Sequence, residues 1–269
     1  MNTLYRHHIF VLIILVGFLN ATIKPVSLHI LELGCFNSAL QTFGVSIVVW
    51  AIWLLIIKRL FQPAKEEATK QDVWVAILTL IALHVTSSTL CWLILACFAV
   101  FIIYTSSQHK ICGQILLALA IREPISQVVF QLFTPSLLAF DSTMVKLFLS
   151  MFSLDSNVSG NLVSSDYGYN LFILKGCSSF INLSYALLCW FVIFKLYYAK
   201  LHFKTFVSCI GVILVIPILN YMRLSLMTQG MEMFNFIHGS AGNNIFNAIT
   251  LPLVILISLW GVGYAKSKK

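Results

Sequence analysis

Long apolar runs separated by short polar breaks set the plan of this chain. The first run, Ile9 to Ile23, follows a short polar start containing Arg6. A weakly charged stretch around Lys24-Pro25 to Gln41 reads as a loop, and the next run, Thr42 to Ile57, stops at Lys58-Arg59. Lys58 to Asp72 is the most charged stretch. Val73 to Ser106 is too long for one span, and Thr86-Ser87-Ser88-Thr89 divides it into two helices. A fifth span runs from Ile111 to about Ile121 and is expected to end at Arg122-Glu123-Pro124, where proline stops the helix and the charge pair marks an interface.

From Pro124 to Gly176 the pattern changes. Ile125 to Phe140 is apolar but interrupted by Gln127, Gln131, Thr134 and Pro135, which suits an interfacial helix. Asp141 to Ser153 reads as one or two amphipathic turns. Asn157 to Gly168 reads as loop, with turn chemistry at Gly160-Asn161 and short strand-like pieces flanking it. Three further spans follow, Ser178 to Tyr198, Thr205 to about Arg223 and Ile245 to Tyr264. The runs are continuous, not alternating, so they predict helices and not a barrel. A hydrocarbon core of about 30 Å takes roughly 20 apolar residues per crossing. The expected fold is therefore all-α, a polytopic transmembrane helical bundle of about eight spans with a short extramembrane segment before the sixth. It forms one integral membrane domain, 1–269: five spans in 1–123, an interfacial or extracytoplasmic segment in 124–176, and three spans in 177–269 that carry the site. An uncleaved first span is preferred to a cleaved signal peptide, for which Asn20-Ala21-Thr22 would supply small residues.

Composition narrows the class. Of 269 residues, 59% are hydrophobic and only 10% charged, too few charges to cover a soluble domain of this length. The net charge of +8 is dispersed among apolar segments with no basic face, so no nucleic acid partner is expected and lipid surrounds the chain. From an inside N-terminus, the cytoplasmic set is Arg6, Lys58, Arg59, Lys65, Lys70, Lys110, Lys195, Lys200, Lys204, Lys266, Lys268 and Lys269. Lys24, Arg122, Lys146, Lys175 and Arg223 fall outside. That asymmetry places both termini inside. Cys35, Cys91, Cys97, Cys112, Cys177, Cys189 and Cys209 show no ligand spacing, so neither a metal nor a cofactor is expected.

Three reactive side chains then fall at span ends on the outer side. Cys177 precedes the sixth span, where the helix dipole, helped by Lys175, is expected to lower the thiol pKa; the bland reading is a small interfacial residue or a disulfide with Cys35. Arg223 ends a span kinked by Pro217 and either snorkels or holds an oxyanion or carboxylate, with Asn220 three residues earlier orienting it. His238 is a plain loop residue or a general base, with His29 the other outside candidate, and Gly239 and Gly242 allow a substrate backbone close. Ser178, Asn182, Tyr185 and Cys189 form a stripe better explained by helix packing. The chain holds no HExxH, no GxSG, no Asp pair within spans and no GxxxxGK[ST], so zinc, serine, aspartyl and nucleotide-driven chemistries find no motif.

Cys177-Ser178-Ser179, Asn220-Tyr221-Met222-Arg223 and His238-Gly239-Ser240-Ala241-Gly242, in that order at span ends, resemble the exosortase/archaeosortase family of membrane cysteine transpeptidases. The segment with Pro135-Ser136-Leu137 and Gly160-Asn161 is also similar, whereas the first four spans are generic. Ser179 stands where the family usually has glycine, and its Cβ is expected to narrow the approach to Cys177. The resemblance implies Cys177, Arg223 and His238 as catalytic residues, supported by Asn220, Ser178 and Gly242. It implies exported protein substrates carrying a C-terminal sorting signal, cleaved at the outer face of the cytoplasmic membrane and passed to an acceptor. The competing expectation is a non-enzymatic multi-pass protein, a transporter or a surface-polymer assembly factor.

Overall fold

In the computed structural model, residues 4–62, 66–85, 87–165, 169–197 and 202–266 are described. Lys65, Lys200, Lys268 and Lys269 of the expected cytoplasmic set, Thr86 of the polar break, Gly168 and Tyr198 lie outside them. The chain packs as two units, Met1–Ile125 and Ser126–Lys269.

In the first unit, α1 spans Arg6–Leu40, α2 Ile47–Leu60, α3 Lys70–Ala82 and α4 Ser88–Thr105. The expected loop from Lys24 to Gln41 is helical instead. Pro25 lies within α1, and the only non-helical residue in it is Gly34, at φ 76°. Lipid supplies no partner for a freed backbone group, so an apolar segment keeps its helix through a proline where a soluble chain would break. The polar break after Val85 does separate α3 from α4. Thr69 caps α3: its hydroxyl accepts from the Asp72 N–H at 3.2 Å, and the Asp72 carboxylate accepts from the Thr69 N–H at 2.7 Å. Such reciprocal capping contributes about 1 kcal/mol. Asp72 also takes two bonds from Arg6, at 2.8 and 2.9 Å, so this buried carboxylate is fully matched. Phe18 fixes the apolar centre, stacked on Trp53 at 4.6 Å and edge-on to Trp50 at 5.2 Å.

Helix α5, Lys110–Ser150, starts in the first unit and continues in the second. It does not stop at Pro124, as the sequence led us to expect; its one non-helical residue is Phe133, at φ −115° and ψ 16°. The interfacial helix and the amphipathic turns expected over 125–153 are the second half of this helix. Three short strands follow, β1 Ser156–Ser159, β2 Leu162–Ser165 and β3 Asn170–Phe172, antiparallel in the order β1-β2-β3. Gly160-Asn161 makes the β1–β2 turn, with Gly160 at φ 59°, where glycine avoids the Cβ clash. The segment expected as loop with flanking strands is thus itself a small sheet. Then come α6 Ser179–Leu196, α7 Phe203–Met227, α8 Met231–His238 and α9 Ser240–Lys266.

Among the described residues six helices are long and apolar enough to cross a membrane: α1, α4, α5, α6, α7 and α9. Helices α2 and α3, at 14 and 13 residues, fall below that length. The molecule is a helical multi-pass membrane protein. Its second unit holds two buried clusters. Ala186, Val212, Ile216 and Val254 join α6, α7 and α9. A larger one runs from Phe130, Val145 and Leu149 through Val163, Leu171 and Ile173 to Cys177, Tyr221, Leu224 and Ile237. The sheet therefore packs its inner face into the cluster that contains the cysteine.

Candidate functional site

Cys177 closes a single 3-10 turn, Lys175–Cys177, between β3 and α6. Its N–H donates to the Leu174 carbonyl at 2.9 Å, and the residue is only 8% exposed. The first N–H groups of α6 do not face the thiol. The Ser179 N–H donates to the Asp141 carboxylate at 3.1 Å, and the Phe180 N–H donates to the Ser178 hydroxyl at 3.3 Å. Lys175 is also turned elsewhere, its Nζ lying 5.6 Å from the Phe130 ring centroid. The expected activation by the helix dipole is therefore not realised. Burial pushes the Cys177 thiol above its ordinary range, and the Arg223 charge opposes that without overcoming it. All seven cysteines are free thiols.

A neutral thiol needs a base, and one is adjacent. His238 is the last residue of α8, and its Nδ1 lies 3.9 Å from the Cys177 Sγ. The imidazole stacks on Phe234, one turn earlier, at 5.0 Å and 10°. Phe234 in turn packs on Tyr169 at 5.6 Å. Two rings thus fix the plane of the imidazole while leaving Nδ1 toward sulfur.

Arg223 lies one turn before the end of α7, not at the end, and α7 stays helical through Pro217. Its guanidinium stacks over Phe246 at 4.9 Å, and Nη2 donates to the Ile237 carbonyl at 3.5 Å. The buried Nε has no hydrogen-bond partner among the described residues, and no carboxylate there pairs with Arg223. A cation held by a ring and one long bond keeps most of its donors for an incoming oxyanion or carboxylate.

Asn220 does not orient Arg223, although the i, i+3 spacing puts both on one face of α7. Fully buried, it donates to the Cys177 carbonyl at 2.8 Å and accepts from Asn182 at 3.0 Å. The buried carbonyl of the 3-10 turn lacks a helical partner, and the carboxamide supplies one where water cannot. Gly242 serves the packing of α9 on α8. A Cβ there would stand 2.5 Å from the Phe236 carbonyl oxygen and 2.7 Å from that of Ile237, so α9 can start against the end of α8 only with glycine.

Asp141 is the residue that sequence reasoning passed over. It is 1% exposed on α5 and accepts from the Ser178 hydroxyl at 2.9 Å, from the Ser179 N–H and from the Ser179 hydroxyl. The Ser179 hydroxyl also lies 3.4 Å from the Tyr221 hydroxyl. The Ser179 side chain is therefore engaged by α5 and α7. Its signal was available: an acid flanked by Leu137, Leu138, Phe140 and Val145 has to find a buried partner. His29, the alternative imidazole, belongs to the first unit, packed on Gly44, with no bond to its Nδ1 among the described residues.

Cys177, His238, Arg223 and Asn220 are thus brought together in one unit, with Ser178 and Gly242 shaping the backbone beneath them. Among the described residues no group of three His, Cys, Asp or Glu side chains is placed to hold a metal ion. Comparison with protein-family models, with curated proteins and with solved structures finds no match to this chain.

Proposed function

We propose that this protein is an exosortase-like membrane cysteine peptidase, a transpeptidase acting on exported proteins with a C-terminal sorting signal. The observation that carries this reading is the 3.9 Å separation of the Cys177 Sγ and the His238 Nδ1 beside an arginine with open donors. His238 takes the thiol proton as sulfur attacks the scissile carbonyl. The tetrahedral oxyanion is held by Arg223, and its collapse breaks the C–N bond as His238 returns the proton to the leaving amine. A thioester remains on Cys177. Water or an acceptor nucleophile attacks it, giving its proton to His238, and the thiol is restored.

Counting α2 and α3 as short crossings beside the six long helices gives eight spans. Both termini are then cytoplasmic and the site lies on the extracytoplasmic side of the inner membrane, as the distribution of Lys and Arg favours. The test is processing by Cys177→Ala and Cys177→Ser variants at normal membrane levels. Unprocessed substrate should accumulate in both. Normal processing in either variant rejects the peptidase and leaves the transporter or assembly-factor reading.

A further inference from the structure

Among the described residues strand β3 has a neighbouring strand on one side only, because the sheet order is β1-β2-β3. Two hydrogen bonds fix which of its residues face β2: the Ser165 N–H donates to the Tyr169 carbonyl at 3.2 Å, and the Ile173 N–H to the Asn161 carbonyl at 2.9 Å. Backbone groups alternate in direction along an antiparallel pair, so Tyr169, Leu171 and Ile173 face β2 while Asn170 and Phe172 face away. Among the described residues no backbone group pairs with those of Asn170 or Phe172.

Edge strands are ordinarily blunted by charge, proline or a bulge, and Asn170-Leu171-Phe172 has neither charge nor proline. Leu171 and Ile173 are buried, whereas Phe172 and Leu174 are 60% and 61% exposed. The strand continues directly into the turn that carries the nucleophile, and Gly176 has no atom within 4 Å of where a Cβ would stand. Phe172 lies five positions before Cys177, a span that an extended peptide of about five residues at roughly 3.3 Å each covers.

We infer that the free edge of β3 receives the substrate polypeptide as a fourth, extended strand, pairing with the backbone of Asn170 and Phe172 and delivering its scissile carbonyl to Cys177. This rests on the acyl transfer proposed above and names its substrate subsite. A peptide carbonyl open to a thiol belongs to an extended segment, whose own N–H and C=O groups need partners beside a membrane; strand addition supplies them. Recognition through main-chain groups tolerates many sequences, while Phe172 and Leu174 favour an apolar residue at alternate positions.

The experiment uses the full-length protein in detergent and follows alkylation of Cys177 by mass spectrometry. The probes are an alanine tetrapeptide ending in a chloromethyl ketone and two derivatives, each N-methylated at one of two adjacent residues. Methyl methanethiosulfonate serves as the small control reagent. In the unaltered protein, methylation at one of the two positions should slow labelling about tenfold, and methylation at its neighbour should not, because only alternate N–H groups face the edge. In Phe172→Pro, which removes an outward N–H and leaves those facing β2, that ratio should fall toward one. Equal rates for all three peptides, or a ratio that survives Phe172→Pro, overturn the strand-addition inference alone. Failure of methyl methanethiosulfonate to label Cys177 faster than the other cysteines overturns the acyl-transfer reading, and the subsite falls with it.

Discussion

The Asn220 carboxamide donates to the Cys177 carbonyl at 2.8 Å while accepting from Asn182 at 3.0 Å, so one buried side chain ties the turn that carries Cys177 to α6 and α7. The sulfur is therefore placed by its own backbone, gripped from behind. Asn220→Ala leaves a buried carbonyl without a donor, at a cost of about 1–3 kcal/mol. Asn220→Asp keeps the acceptor for Asn182 but offers Cys177 a second acceptor. Both variants should lower the unfolding temperature in detergent and slow alkylation of Cys177, with Asp the worse. An unchanged rate in Asn220→Ala would show that the turn holds itself.

Asp141 makes a second grip, on the start of α6. It takes the Ser178 hydroxyl and the first N–H of α6, that of Ser179. Asp141→Ala should destabilise the protein strongly, since two buried hydroxyls and an N–H lose their acceptor together. Asp141→Asn retains one acceptor oxygen and should recover part of the loss. Thermal unfolding of the two variants checks the order; equal loss in both would mean that the negative charge matters and the bonds do not.

Burial raises the Cys177 thiol, and Arg223 is the charge that opposes it. Only the thiolate attacks, so without a base the rate of disulfide exchange at Cys177 should climb with pH to a midpoint above about 8.5. His238→Ala should display that profile. Adding Arg223→Gln should move the midpoint higher still, because the stabilising cation is gone. The pH dependence of methyl methanethiosulfonate labelling measures both shifts, and a midpoint that moves down on loss of Arg223 contradicts the arrangement.

Order and spacing along the chain already put Cys177, Arg223 and His238 together, because each sits where an apolar run meets polar residues, and span ends on one side of a bundle converge. What the sequence could not show was local direction. Asn220 shares a face of α7 with Arg223, and nothing in the spacing says that its amide turns to a carbonyl on another element. Pro124 reads as a stop by the rules of soluble helices, yet α5 continues through it, since an apolar surrounding penalises a broken backbone more than a bent one. Nor does the spacing announce that the backbones of Phe236 and Ile237 come close to Gly242. Asp141 was set aside with an amphipathic stretch, although a lone acid among Leu137, Leu138, Phe140 and Val145 has to be satisfied by something.

The first unit carries an acid-labile clasp. The Arg6 N–H donates to the Glu66 carbonyl at 3.0 Å and the Ala68 N–H to the Leu4 carbonyl at 2.9 Å, joining the start of α1 to the segment before α3. The Glu66 carboxylate accepts from the hydroxyls of Ser106 at 2.5 Å and Ser107 at 3.1 Å, the Gln108 N–H at 3.1 Å and Arg6 at 3.4 Å. Burial alone would raise this carboxyl, but those donors and the arginine charge more than offset it and hold it below the ordinary carboxylate range. A carboxyl depressed in the folded state contributes stability above its unfolded pKa of about 4.3, and that contribution is lost as pH falls through the lower folded value. Glu66→Gln should therefore unfold at a lower temperature than the unaltered protein at pH 7, and the gap should shrink as pH falls below about 4.3. Thermal unfolding of the pair in detergent from neutral to acid pH reads that gap; a difference that stays constant through the window would mean that the clasp depends on shape and not on charge.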